Sequence, residues 1–509
     1  MKTGDRFGGP LFLCFFRLLL ATEKLQAYNK KILRLSAKVW RDNVAVMNRE
    51  DKRELFENTP VPRALASMAV PTIISQLINL VYNMVDAFFI GRTGNSYMMA
   101  ATTLTLTLVL MSVAFSNLFG IGGGSLVARL LGARREDEAK SVSAFSIYGA
   151  AALALTYSLI LGLFLNPILY LFGASEATIG FARQYAILVI VIGSLPAILS
   201  ASMAHLLRNV GFARQASIGL SSGGVLNMLL DPLFMFVLLP PGFEVLGAAL
   251  ATLLSNVVAC GYLLYAFCRA AKTTALSLRP TDARCISREN LKKLLSVGVP
   301  SAILTGLFDL ANIFLNVLAA AHSDLVLAGM GIVLKVERVP NAINLGIGQG
   351  MLPIVAYNYS SGNRERMKET ISTARRYGLV VAGISIVLFQ LLASPLTSLF
   401  LSTASEDAAA AIQTLGYAVL FLRIRSLASP VQFLNYHTSY CMQAMGDGKS
   451  TILHAVVREL VFYIPFMYLL DGLLGAGGLA AALPVGEACG AAFALMLLQR
   501  KLKKDDLSK

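Results

Sequence analysis

"GIGGGSLVARLLGARREDEAK", residues 120–140, returns in loose form as "GIGQGMLPIVAYNYSSGNRERMK", residues 346–368. Gly120 falls on Gly348, Gly122 on Gly350, Val127–Ala128 on Val355–Ala356 and Lys140 on Lys368. Upstream, "AVPTIISQLINLV" (69–81) meets "GVPSAILTGLFDLA" (298–311) with one gap. The chain is therefore two copies of one folding unit. In each copy an apolar, glycine-rich run ends in a burst of charge, which reads as a helix leaving a membrane.

Composition agrees. The 509 residues are 56% hydrophobic and 14% charged, with mean hydropathy +0.65. A soluble chain carries about 25% charged residues. Apolar runs of about 20 residues, enough to cross a bilayer as a helix, recur throughout. Twelve are placed near 66–91, 98–128, 142–168, 181–206, 214–239, 246–270, 296–320, 325–357, 371–399, 407–443, 450–471 and 476–499. The fold expected is an all-α polytopic membrane protein with 12 transmembrane helices in two six-helix pseudo-symmetric lobes. An even number of spans per copy gives both copies one orientation, as parallel repeats about an axis along the membrane normal. A transmembrane barrel would show short alternating segments instead.

Loops after even-numbered spans are basic: 129–140, 206–214, 269–293 and 362–376, as is the tail "QRKLKKDDLSK". The opposite loops, 166–178, 240–247, 320–325 and 394–410, are nearly free of Lys and Arg. Basic loops face the cytoplasm, so both termini are expected there. The net charge of +15 is explained by this topology and does not indicate nucleic acid. The domains expected are an N-terminal extension (1–62), an N-lobe (63–270), a basic linker (271–293), a C-lobe (294–499) and a basic tail (500–509). The run "PLFLCFFRLLLA" (10–21) is too short to span and lacks a clear cleavage site. Translation is expected to begin naturally at Met47, the alternative for 1–46 being an amphipathic lead on the membrane surface.

Charges inside spans are costly, so each is a functional candidate. The first half has Asp86 in "NMVDAFFIGR" (83–92) and Asp231 in "NMLLDPLF" (227–234), with no basic residue inside either span. Counted along their helices, the two acids reach similar heights in the outer half of the bilayer. Two carboxylates without a cation, in a poorly hydrated place, cannot both stay ionised cheaply. Such a pair holds protons or binds a cation such as Na⁺. Asn227 lies one turn before Asp231 on the same face, and its amide can share a cation or donate to the carboxylate. Pro232 has no N–H and frees the carbonyl of Met228. Thr252 adds a hydroxyl from span 6. The bland reading of Asn227 and Asp231 is hydrogen-bonded glue between helices, and of Thr252 small-residue packing.

The second half places Lys335, Glu337 and Arg338 in span 8, Arg423 and Arg425 in span 10, and Arg458 with Glu459 in span 11. Acids with basic neighbours read first as structural ion pairs. Asp309 is a second coupling acid or the partner of one of these bases. Gln349, Asp309, Arg338 and Met84 are the candidates for the substrate path. The scattered cysteines and four histidines show no metal spacing. The glycines of 120–124 lack the GK[ST] ending and the preceding strand of a phosphate loop. No nucleotide-binding domain is seen, and HExxH does not occur, which argues against an enzyme. A passive channel has no need of two six-span halves with a midspan acid pair.

These features together resemble the MATE family, multidrug and toxic compound extrusion transporters, from about residue 60 to 499. The likeness rests on "VDAFFIG" in span 1, "GGGSLVARLLGA" after span 2, "NMLLDPLF" in span 5 and "GIVLKVERVPNAINLGIGQGMLPIVAYNYSSGN" (331–363) in span 8. The two acids look like the prokaryotic DinF-like branch. The resemblance implies two lobes forming a V that opens to one side at a time, and export of organic cations or amphiphilic toxic compounds in exchange for H⁺ or Na⁺. It implies an ion site at Asp86, Asn227, Asp231 and Thr252. No cofactor is expected beyond the coupling ion, and the partners are small-molecule drugs and the lipid bilayer. A monomer in a bacterial inner membrane is expected. The rival from the same superfamily is a flippase for lipid-linked saccharides, which needs cations for phosphate headgroups.

Overall fold

A computed structural model describes residues 49–400 and 408–507. The expected extension up to residue 46 lies outside them. The described residues hold helices and turns and no strand. After a short helix, Arg49–Glu57, come the long ones. Spans 1 to 3 are Val61–Gly91, Ser96–Gly132 and Glu136–Leu171. Span 4 is Ile179–Asn209, span 5 Ala213–Leu238 and span 6 Glu244–Ala271. A short helix, Pro280–Arg284, precedes spans 7 (Arg288–His322), 8 (Asp324–Ser361) and 9 (Arg364–Ser398). Span 10 comes in two pieces, Ala408–Ser426 and Ser429–Ala444, followed by spans 11 (Gly448–Leu474) and 12 (Ala476–Leu507).

Side-chain caps mark several starts. Asn95 Oδ1 accepts from the Tyr97 N–H at 2.9 Å, Ser287 Oγ from Asn290 at 3.1 Å, and Ser323 Oγ from Val326 at 3.2 Å. Each satisfies an orphan donor of a first turn. Ser323 also closes span 7, so one residue turns the chain between spans 7 and 8. Such short links force antiparallel neighbours.

Ten of the described helices, counting bent span 4 as one, are long and apolar enough to cross a membrane. Spans 8 and 10 fall short of twelve for physical reasons. Span 8 carries Lys335, Glu337 and Arg338 in its middle, and span 10 breaks at Leu427–Ala428, ahead of Pro430. Other breaks are a 47° bend in span 4 beside Gly193 and π-helical stretches at 187–192, 234–238 and 457–463. The second follows Pro232 directly, and π-bulges collect at functional sites. Two expected boundaries move as well. Helix begins at Arg288, inside the expected linker, and span 12 continues to Leu507, through most of the expected tail.

The repeated glycines explain why the copies share that motif. A Cβ on Gly122 would meet the Leu294 carbonyl of span 7 at 2.7 Å, and one on Gly350 would meet the Ala69 backbone of span 1 at 2.6 Å. Each half thus lays its second helix of the pair against the first helix of the other half.

These contacts lie toward the end that carries the basic loops. One apolar cluster there joins both halves, with Leu65, Met68 and Ile121 beside Val297, Ile347 and Met351. Further away each half has its own cluster, around Leu161, Ile190 and Met235 in one and Val333, Phe421 and Met467 in the other. The side chain of Asn117 still reaches Thr305 Oγ1 across the halves at 3.1 Å. Beyond it the facing surfaces are bare. At ~100° per residue, Met111, Thr107 and Ala100 continue the face of Leu118, and Asn316 that of Gly298. Ala87 continues the face of Ala69, and Lys335 and Ala328 that of Gly346. All of these outer residues are exposed. The halves therefore meet at the basic-loop end and part into a cleft at the other.

The helix Arg49–Glu57 ties the closed end. Phe56 stacks on Tyr357 at 5.1 Å between centroids. Its carbonyl accepts from Arg366 Nε at 2.7 Å and Asn358 Nδ2 at 3.1 Å. On the other side, Glu57 pairs with Arg134 at 2.7 Å and Arg53 with Glu136 at 3.1 Å.

Candidate ion and substrate site

In span 5, Asn227 and Asp231 stand one helical turn apart. Asn227 Nδ2 donates to Asp231 Oδ1 at 3.1 Å and to Thr252 Oγ1 of span 6 at 3.2 Å. Asp231 is 0% exposed and Asn227 2%. Asp86, half-buried, comes from span 1, and its charge and that of Asp231 act on each other. Three oxygens are buried here without a hydrogen-bond partner: Asp86 Oδ1, Asp231 Oδ2 and Asn227 Oδ1. Among the described residues no Lys, Arg or His forms an ion pair with either acid. Unpaired buried carboxylates are costly, and an all-oxygen donor set with no sulfur or imidazole suits a proton or a hard cation.

Two tyrosines complete the surroundings. Tyr82 and Tyr185 both feel the charges of Asp86 and Asp231, and Tyr185 lies near Thr252. Neither was singled out from sequence. Tyr82 carried a usable signal, lying one turn before Asp86; Tyr185, on span 4, carried none.

The substrate-path candidates divide. Asp309 is half-buried one turn beyond Thr305, on the cleft side of span 7. Arg338 is exposed, and its charge acts on Asp309, although the two are not within ion-pair distance. Met84 is half-buried in the outer part of span 1. Gln349 sits in the closed end beside Tyr440, its Oε1 buried without a hydrogen-bond partner.

Ion pairs do organise the second half. Arg425 grips Glu337 through Nε at 2.9 Å and Nη2 at 2.8 Å. For Arg458 the sequence neighbour Glu459 is the looser partner at 3.5 Å. The closer one is Glu487 of span 12, with Nε donating at 3.0 Å and Nη2 at 2.5 Å. Asn435 Nδ2 also donates to Glu487, while its Oδ1 faces His454 Nε2 at 3.0 Å. Glu487 was missed in the sequence, though it is an acid within the apolar text of span 12, "AALPVGEACGAA". Among the described residues no group of three His, Cys, Asp or Glu side chains is placed to hold a metal.

Two six-helix halves about a cleft, with unpaired acids buried in one half, are the architecture of a membrane transporter. The family model MatE matches residues 71–233 and 300–469. This chain belongs to the MatE family, as its motifs suggest. It is 30% identical over 456 residues to the multidrug export protein MepA of Staphylococcus saprophyticus, covering 88% of this chain and 96% of that one. The protein of the same name from Staphylococcus aureus strain MRSA252 is 27% identical, over 88% and 96%. Among solved structures, an outward-facing multidrug resistance MATE transporter superposes with a TM-score of 0.81 at 24% identity, covering 89% of this chain and 98% of that one. A MATE crystallised with MaL6 gives 0.82 at 23%, over 89% and 98%. These structures share the twelve-helix, two-lobe fold.

Proposed function

We propose that this protein is a secondary active exporter of amphiphilic toxic compounds, driven by entry of H⁺ or Na⁺ through alternating access. The observation that carries the coupling is the buried cluster of Asp86, Asp231 and Asn227, whose three partnerless oxygens face no cation among the described residues. The names of the staphylococcal relatives support multidrug export as the task. The basic-loop end is assigned to the cytoplasm of a bacterial cell. On that assignment the cleft faces outward, both termini are cytoplasmic, and the segment between Ala271 and Arg288 links two lobes within a monomer.

An ion entering from outside neutralises the acid pair. Asn227 and Thr252 orient Asp231, and Asp86 shares the charge. The broken hydrogen-bond ladder at Pro232 and the following π stretch let the outer part of span 5 repack once repulsion is relieved. Span 1, which carries Asp86 and packs its inner part on span 8, passes that movement to the interface between halves. The basic end then opens, releases the ion and loads substrate. Each charge moving with the potential supplies about 2.3 kcal/mol per 100 mV.

The test is ethidium efflux from proteoliposomes under imposed pH or Na⁺ gradients, applied separately. Asp86→Asn and Asp231→Asn are each expected to abolish gradient-driven efflux with insertion unchanged. Wild-type rates in both variants would refute the assignment, and the gradient that drives the wild type identifies the ion.

A further inference from the structure

The two halves that flank the cleft carry opposite charge, exposed on the wall of the second and buried within the first. Lys335 lies about 11 residues, or ~16 Å, into span 8 from its outer end at ~1.5 Å per residue. That depth is inside the membrane. Arg338 is one turn further in, and both are exposed. Helical phase decides whether they face lipid or cleft. Gly346 and Gly350 touch Ile73 and Ala69 of span 1, so their side of span 8 faces the other half. Lys335 falls within roughly 20° of Gly346, and Arg338 within roughly 80°, on the flank shared with Gln349. Glu337 points the opposite way, into its own half, where Arg425 holds it. Lys335 and Arg338 thus stand on the cleft wall. Neither is within ion-pair distance of a carboxylate among the described residues. Asp309 on the adjoining face of span 7 feels Arg338 from beyond that distance. Two cations against one acid leave this wall positive, in a place where an unmatched cation is costly. The buried charges of spans 1 and 5, on the other side, are Asp86 and Asp231.

The geometry points to an anion subsite at Lys335 and Arg338 that takes the acidic group of an amphiphilic substrate whose cationic end faces the other half. Arg338 offers a planar fork for a carboxylate and Lys335 a point charge beside it. The acids of the first half attract the cationic end of the same molecule and disfavour a purely anionic ligand. This deepens the exporter reading and rests on it for the identity of the cleft, but it is tested by binding alone.

Rhodamine 110, a free acid, and rhodamine 123, its methyl ester, share one chromophore and differ at the carboxyl. Their affinities for the full chain in phosphatidylcholine nanodiscs are read by fluorescence anisotropy. The wild type is expected to bind the acid dye at least as tightly as the ester. Lys335→Gln and Arg338→Gln are each expected to lower the acid-to-ester affinity ratio fivefold or more, and Lys335→Arg to keep it. If Arg338 served only to offset Asp309, Asp309→Asn would restore the ratio in the Arg338→Gln variant; that rescue overturns the proposal. So does an unchanged ratio, or a wild type that binds the ester alone. A measurement on the wild type needs no variant to fold. Hexyl phosphate, an amphiphilic anion with no cationic part, is expected to need more than tenfold excess over rhodamine 110 to displace it. Displacement at equal concentration would mark a phosphate-headgroup site and overturn the zwitterion reading. Ethidium efflux, which involves no acidic group, reports on the exporter reading separately.

Discussion

Gly122→Ala probes the closed end most sharply. The added methyl would lie 2.7 Å from the Leu294 carbonyl oxygen and 2.8 Å from the Gly298 Cα, both backbone atoms of the other half. Backbone cannot rotate away as a side chain would, so the helices must separate. Overpacking of this kind costs about 1–3 kcal/mol. The ordinary gain from replacing a helical glycine, ~0.5–1 kcal/mol, is present in every conformation and cancels. The steric cost exists only while spans 2 and 7 touch, so it falls on the state described here. A penalty of that size shifts a two-state equilibrium about 5- to 150-fold. Spin labels at Thr107 and Asn316, exposed on facing sides of the cleft, report the separation by double electron–electron resonance. The cysteine-free background must replace exposed Cys268 and Cys285. The wide-cleft population should fall and a narrow one appear. Gly306→Ala, on span 7 with nothing within 4 Å of the new methyl, should leave the distribution unchanged. A wild-type distribution for Gly122→Ala, or the same shift for Gly306→Ala, would show that this contact does not hold the basic end shut.

Phe56→Ala removes a buried ring that stacks on Tyr357, at ~3–5 kcal/mol for a fully packed site, and should narrow the cleft in the same experiment. Glu57→Gln disturbs a pair with exposed Arg134 worth at most ~1 kcal/mol and should move it much less. Glu487→Gln strips Arg458 of its nearest counter-charge. Breaking a buried pair costs ~3–5 kcal/mol, so the detergent melting temperature should fall by several degrees, whereas Glu459→Gln, at the looser 3.5 Å contact, should be near neutral. Equal melting shifts would contradict the ranking of the two partners. Asn227→Ala removes the donor held by both Asp231 and Thr252. It should slow ion-driven efflux about tenfold while the melting temperature moves by no more than a few degrees.

Much of this was readable in the text because its causes are local. The cost of moving charge into hydrocarbon is paid residue by residue, so apolar runs mark spans wherever they occur. Asp86 and Asp231 stand out for the same reason. The glycine repeat marked two copies before any packing was known. Local rules also misled. Glu459 adjoins Arg458 in sequence, yet successive residues on a helix point about 100° apart, and span 12 supplies the better-aimed carboxylate. A count of long apolar helices falls short of twelve at span 8, where Lys335, Glu337 and Arg338 lower the hydropathy, and at span 10, which breaks at Leu427–Ala428.

The sequence by itself therefore determined the membrane class, the two halves, the polarity of the loops and the acids that need an explanation. Only the tertiary structure decided which end of the halves is closed, that Lys335 and Arg338 face the cleft while Glu337 turns inward, and that Tyr82 and Tyr185 attend the acid pair. Transfer cost and helical period act along one chain segment. Helix-to-helix distance and rotation are set by where glycines let backbones touch, and no single segment contains that information.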